Sequence, residues 1–182
     1  VLEYLRPNDL LVVNDAKVIP ARLLGKKVDT GGKVELVLTM PLGDASGTSW
    51  RCIGQASKAI RAGMRLDFDG LPAQVVAAVG DGSYDVRFES QDFAADLARV
   101  GRIPLPPYIK REVGELDHTR YQTVFAERPG AAAAPTAGLH FTDSLLAEVK
   151  ARGVSLARVT LYVGAGTFLP IATENALEHP MH

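Results

Sequence analysis

Asp15 and His140 stand where apolar runs give way to turns, and their residue types can move a proton or meet a positive charge. Asp15 follows Leu10-Leu11-Val12-Val13-Asn14, and His140 lies between Leu139 and Phe141. Groups suited to binding lie beside them. These are Asn14, the run Pro135-Thr136-Ala137-Gly138-Leu139 leading to the helix-capping Thr142, and Gly164-Ala165-Gly166-Thr167. Each residue also has a plainer use. Asp15 can cap a turn, His140 can sit satisfied in a core, and Gly164-x-Gly166 is too short to be a phosphate loop by itself. Arg22 and Arg111 can be ordinary surface bases. Other chemistries lack their residues. There is no HExxH, no cysteine-rich ligand spacing, no P-loop and no G-x-S-x-G elbow. His179 and His182 could pair on a metal, but nothing supplies the remaining ligands. Cys52, beside Trp50 and Ile53 in an alternating run, reads as packing rather than nucleophile.

Two strands must position these groups. Leu10–Asn14 is apolar on both faces, as is most of Val154–Val163, the pattern of parallel strands covered on two sides. Between them Thr142 is a good N-cap, Phe141 is placed to staple onto Leu146, and Gly153 stands where a C′ glycine ends a helix. If the strands are parallel, that helix runs antiparallel to both. Its N-terminus then shares an edge with the strand C-termini, where open α/β sheets bind ligands and amide dipoles attract anions.

The pattern changes after Pro20. Val34, Leu36 and Leu38 alternate with Lys33, Glu35, Val37 and Thr39, and the same period of two recurs over Met64–Phe68 and Tyr84–Phe88. Turn signals fall at Thr30-Gly31-Gly32, Gly43-Asp44, Asp69-Gly70 and Gly80-Asp81-Gly82. With Ala21–Val28, Ser49–Gln55 and Pro72–Val79, about six short antiparallel strands suggest a small barrel. A helix over Gln91–Val100 follows. Arg102–Ile109 contains three prolines and marks the return from the barrel. The expected fold is therefore a split α/β domain, residues 1–21 and 106–182, incomplete at both ends. A small antiparallel β-barrel is inserted at 22–105.

Charge is unevenly distributed. The window from Arg22 to Leu66 holds eight bases (Arg22, Lys26, Lys27, Lys33, Arg51, Lys58, Arg61, Arg65) against three acids, although the whole chain is −1. That asymmetry suits a polyanion lying along one segment, and equally a solvated strand face. One cysteine excludes an intrachain disulfide and fits a reducing cytosol, and no apolar run approaches the ~20 residues of a membrane helix.

At these same stretches the sequence resembles the S-adenosylmethionine:tRNA ribosyltransferase-isomerases of the queuosine pathway. The matching residues are Leu10–Leu23 (LLVVNDAKVIPARL), Arg102–Arg111 (RIPLPPYIKR), Tyr121–Ala126 (YQTVFA), Ala133–Thr142 (AAPTAGLHFT), Tyr162–Pro170 (YVGAGTFLP) and Glu178–His182 (EHPMH). The resemblance implies a cytoplasmic enzyme acting as a monomer. Its partners would be S-adenosylmethionine, consumed as a cosubstrate rather than held as a cofactor, and a tRNA carrying 7-aminomethyl-7-deazaguanine at the wobble position. The products would be epoxyqueuosine, adenine and methionine. In that reaction His140 would be the base or acid, and Asp15 would stabilise the sulfonium or bind ribose hydroxyls. Thr136, Gly138, Thr142, Gly164, Gly166 and Thr167 would hold the methionine carboxylate or ribose, with Asn14, Arg22 and Arg111 near substrate and Tyr108 and Phe168 as stacking surfaces. The bases of the barrel window would follow the tRNA backbone. A non-catalytic RNA-binding fragment of such an enzyme is the alternative.

Overall fold

Leu10–Asn14 (β1) is followed by a short strand, Ala16–Val18 (β2), separated from it by Asp15 alone. Six further strands come next: Arg22–Lys27 (β3), Lys33–Pro41 (β4), Ser49–Ala56 (β5), Arg65–Asp67 (β6), Pro72–Gly80 (β7) and Ser83–Phe88 (β8). The helices Phe93–Val100 (α1) and Asp117–Arg120 (α2), the strand Arg128–Ala131 (β9), the helix Asp143–Ala151 (α3) and the strand Ser155–Val159 (β10) complete the order. The computed structural model describes residues 1–106, 109, 111, 113–164 and 175. They fall into two compact units, one of Val1–Ile19 with Glu112–Val163, the other carried by Pro20–Arg111.

The second unit is a closed antiparallel barrel in the order β3-β4-β5-β8-β7-β6. Its alternation is the one the sequence predicts. Val34, Leu36 and Leu38 point inward to meet Leu23, Cys52, Leu66, Phe68, Val75, Val86 and Phe88, all buried. Gly25 lets β3 cross close to β6, since a Cβ there would stand 2.4 Å from the Asp67 carbonyl oxygen and 2.5 Å from the Phe68 ring. The Asp69-Gly70 pair closes the β6–β7 hairpin with positive φ at both residues (54° and 83°), the requirement of a two-residue primed turn. Helix α1 starts two residues later than the sequence pattern suggests, because the Asp92 carboxylate caps it by accepting from the Ala95 amide at 3.0 Å.

In the first unit β1 and β10 pair in parallel, Leu10 beside Ser155 and Asn14 beside Val159. A second parallel pair, β2 with β9, had no signature in the sequence. The expectation that β1 is buried on both faces does not hold among the described residues. Val13 is buried, but Leu10 and Val12 on the other face are 61% and 52% exposed. Side chains alternate, so one covered face accounts for half the strand, and the neighbours that β10 supplies beside Val12 and Asn14 are only Ala157 and Val159. β10 itself is shorter than the apolar run Val154–Val163.

Helix α3 has the ends predicted for it. The Thr142 hydroxyl accepts from the Leu145 amide at 3.1 Å, and Gly153 takes φ +79° just past the C-cap. The Asn8 amide donates to the Gly153 carbonyl at 2.9 Å, and Arg152 donates to the Leu2 carbonyl at 2.8 Å. The C-terminal end of α3 is thus pinned where β1 begins. The ring contact of Phe141 is with Phe125, centroids 6.1 Å apart.

Candidate functional site

Asp15 is the joint between the two parallel pairs, and its backbone is fully engaged. Its amide donates to the Val159 carbonyl at 2.9 Å, and its carbonyl accepts from the Glu127 and Arg128 amides at 2.8 and 3.1 Å. Asp15 is 5% exposed, with its Oδ1 accepting from the Thr160 hydroxyl at 2.6 Å. Asn14 works beside it as a clasp. Its Nδ2 donates to the Leu161 carbonyl at 2.8 Å, and its Oδ1 accepts from the Leu161 and Ala16 amides at 3.0 and 3.1 Å. The end of β1 and the segment leaving β10 are therefore drawn together at one edge.

A third stretch reaches this edge through packing. Gly138 is buried in the 3₁₀ turn Thr136–His140, where an added Cβ would stand 2.8 Å from Thr123 Cγ2 and 2.9 Å from Phe125 Cζ. Phe125 also meets Phe141, next to the helix cap, and lies two residues before Glu127, whose amide binds Asp15. The turn, the N-cap and Asp15 are thus linked through Thr123–Glu127. His140 is exposed on the turn, not in a core, and no hydrogen bond joins it to Asp15 among the described residues. Thr136 and Thr142 are exposed too. Gly164 is half-buried, and a Cβ there would touch nothing within 4 Å. Tyr108, Gly166, Thr167 and Phe168, like His179 and His182, lie outside the described residues. Sequence reasoning missed Thr160, whose hydroxyl orients Asp15. A threonine one residue beyond a strand that ends opposite Asn14 was the available signal.

The barrel residues separate into engaged and free. Arg22 forms a two-pronged ion pair with Glu35, at 2.7 and 3.0 Å, and Arg51 does the same with Asp85, at 2.8 and 3.1 Å. These bonds hold both guanidinium groups further in their charged form. Arg65 pairs with Asp29 at 3.1 Å, and Lys26 lies 3.8 Å from Asp67. Lys27 needs correction as an RNA contact. It is buried, its amine donating to the Lys58 and Ala59 carbonyls at 2.6 and 3.0 Å, because its position on β3 points it inward. Lys33, Lys58 and Arg61 are exposed and have no ion-pair partner among the described residues. Lys33 lines an open groove of about 1000 Å³ with Lys26, Gln55, Ser57, Asp67 and Asp69. Arg111 is exposed in the same unit. Burial pushes the Cys52 thiol far above its ordinary range, which removes it as a nucleophile. Among the described residues no group of three or more His, Cys, Asp or Glu could hold a metal ion, and no helix is long and apolar enough to cross a membrane.

The family model described as queuosine biosynthesis protein matches residues 1–182. The chain belongs to this family. Among relatives of the queuosine biosynthesis family, the S-adenosylmethionine:tRNA ribosyltransferase-isomerase of Anaeromyxobacter sp. (strain Fw109-5) is 57% identical over 182 residues, covering 99% of this chain and 52% of the relative. That of Trichlorobacter lovleyi is 52% identical, covering 100% and 53%. The chain thus spans about half the length of these queuosine biosynthesis proteins. A solved S-adenosylmethionine tRNA ribosyltransferase from Thermotoga maritima aligns at 29% identity over 89% of this chain and 43% of that one, with a TM-score of 0.38. The fold described above stands on its own strand pairing.

Proposed function

We propose that the protein transfers and isomerises the ribosyl moiety of S-adenosylmethionine onto 7-aminomethyl-7-deazaguanine at the wobble position of a tRNA. The product is epoxyqueuosine, and adenine and methionine are released. The observation that carries this reading is the family match over all 182 residues, together with relatives so named at more than half identity. S-adenosylmethionine is consumed as a cosubstrate. The nucleophile is the amine of the tRNA base, so the protein need not supply one. It must supply proton transfer at the carbon beside the sulfonium and at the departing adenine, while the bonds from ribose to sulfur and to adenine break. An exposed imidazole on a turn whose glycine is locked against Thr123 and Phe125 suits that work, and His140 is assigned it. Asp15, oriented by Thr160, is assigned the electrostatic role toward the sulfonium or the ribose hydroxyls. The first turn of α3 offers its remaining amides to the methionine carboxylate, Thr142 itself having taken that of Leu145. The exposed bases Lys33, Lys58 and Arg61 are assigned to the tRNA backbone.

The test mixes the intact protein, S-adenosylmethionine and an anticodon stem-loop bearing the aminomethyl base, and follows free adenine. Adenine release is expected, and His140→Ala should slow it by about 100-fold or more, the range of general acid–base catalysis. A His140→Ala variant at full rate removes His140 from the mechanism. S-adenosylhomocysteine in place of adenine would assign methyl transfer instead.

A further inference from the structure

Tyr162 lies in a segment that is tied down on both sides. Before it, the Thr160 hydroxyl donates to Asp15 at 2.6 Å and both backbone groups of Leu161 bind the Asn14 side chain. After it, the Val163 carbonyl accepts from the Ala132 and Ala133 amides at 3.0 and 3.2 Å. The direction of the Tyr162 side chain is therefore set by its neighbours. One side of its ring rests on Gly130. A Cβ there would stand 2.8 Å from Cε1, closer than real Cβ atoms come, and a tight 3.0 Å from Cδ1 and 3.2 Å from Cζ. Gly130 also holds φ +145°, a conformation that L side chains rarely adopt. Only glycine meets both demands, so the backbone of β9 is shaped to seat this ring. Yet Tyr162 remains 54% exposed. Exposed tyrosines are common on surfaces, but a fixed one seated on a glycine and two residues from the Thr160–Asp15 bond is pre-organised for a planar partner.

We infer that Tyr162 is a stacking platform for a purine-type base, an assignment that rests on the function proposed above and adds a residue to it. Every base has a π-face that stacks on an aromatic ring, and the buried carboxylate nearby offers an acceptor to ribose hydroxyls or negative charge to the sulfonium. Two such bases enter the proposed reaction: the adenine of S-adenosylmethionine and the 7-deazaguanine of the tRNA.

The experiment measures affinities of the intact protein by titration calorimetry for S-adenosylmethionine, for adenosine and for the modified anticodon stem-loop. Tyr162→Phe keeps the ring and should bind within about two-fold of the wild type. Tyr162→Leu keeps apolar contact with Gly130 but lacks the ring, and should lose about 5- to 150-fold, the span of base–aromatic stacking. Loss for S-adenosylmethionine and adenosine assigns the platform to adenine, and loss for the stem-loop alone assigns it to the deazaguanine. Gly130→Ala, which displaces the ring without removing it, should weaken the same ligand. If Tyr162→Leu stays folded by circular dichroism and binds all three ligands within two-fold of the wild type, the platform assignment is wrong. Adenine release by the wild type is scored separately. Its absence rejects the proposed reaction, and the adenosine titration still decides whether Tyr162 stacks a base.

Discussion

Gly138 shows how a residue type that reads as ligand contact can be required by packing. In sequence it stands beside His140 in a glycine-containing turn and looks like a place for substrate to approach. In the structure it is buried, its Cα facing Thr123 and Phe125 with no space for a methyl group. Gly138→Ala should therefore destabilise the protein by about 1–3 kcal/mol, the usual cost of overpacking, with a lowered midpoint in urea. If the midpoint is unchanged while S-adenosylmethionine affinity falls, the glycine serves ligand approach instead. Asp15 was legible as a group at a strand end because Asn14-Asp15 closes an apolar run. Its function as the joint of two parallel strand pairs was not, because β2 and β9 are three and four residues long and carry too few alternating positions to show a period. Burial of Lys27 was equally hidden. Lys26 beside it on β3 is exposed; alternation puts Lys27 on the inward face with Leu23, and the two carbonyls that receive its amine, which no local pattern announces, let a charge stay there.

At the scale of elements, the barrel was readable because each strand has one wet face and each turn carries its own residues. The Asp69-Gly70 and Gly80-Asp81-Gly82 turns hold positive φ where the sequence asks for it. The β4–β5 connection shows a turn held by one carboxylate. Asp44 accepts from the hydroxyls of Ser46 and Thr48 and from the Ser49 amide at 3.0 Å. The bond from Ser46 does most to hold its pKa down to about 2. A carboxylate whose folded pKa is depressed adds stability that is complete above the ordinary aspartate value and is lost as pH falls toward the folded one. Acid should thus loosen this turn between about pH 4 and pH 2. Trp50, the one tryptophan, donates from its indole to the Gly47 carbonyl at 3.1 Å and reports on the same turn. Its fluorescence should change over that interval in the wild type, and in Asp44→Asn the change should be absent. A wild-type signal flat down to pH 2 would show that the Asp44 bonds do not hold the turn.

At the scale of the whole molecule, counting charges along the chain overstates what a polyanion meets. The net charge of −1 conceals a window of eight bases against three acids. In space, acids both inside and outside that window pair with four of those eight bases. Glu35 and Asp29 lie within it, and Asp67 and Asp85 arrive from β6 and β8 because barrel closure brings those strands alongside β3 and β5. Surface pairs of this kind contribute little to stability, but an arginine held by two bonds must give them up before it meets phosphate. With Lys27 buried, Lys33, Lys58 and Arg61 remain to displace counterions without breaking an ion pair among the described residues. Each phosphate neutralised adds about −0.7 to −0.9 to the slope of log K against log salt, so three contacts give about −2 to −3 and eight would give about −6 to −7. Anticodon stem-loop affinity measured across a salt series should show the shallower slope, and charge reversal of Lys33, Lys58 and Arg61 together should bring it near zero. A slope of about −4 to −5 in the wild type would mean that RNA pulls Arg22, Arg51 and Arg65 from their carboxylates. The ion pairs would then be a reserve of positive charge that binding releases, not a surface already neutralised.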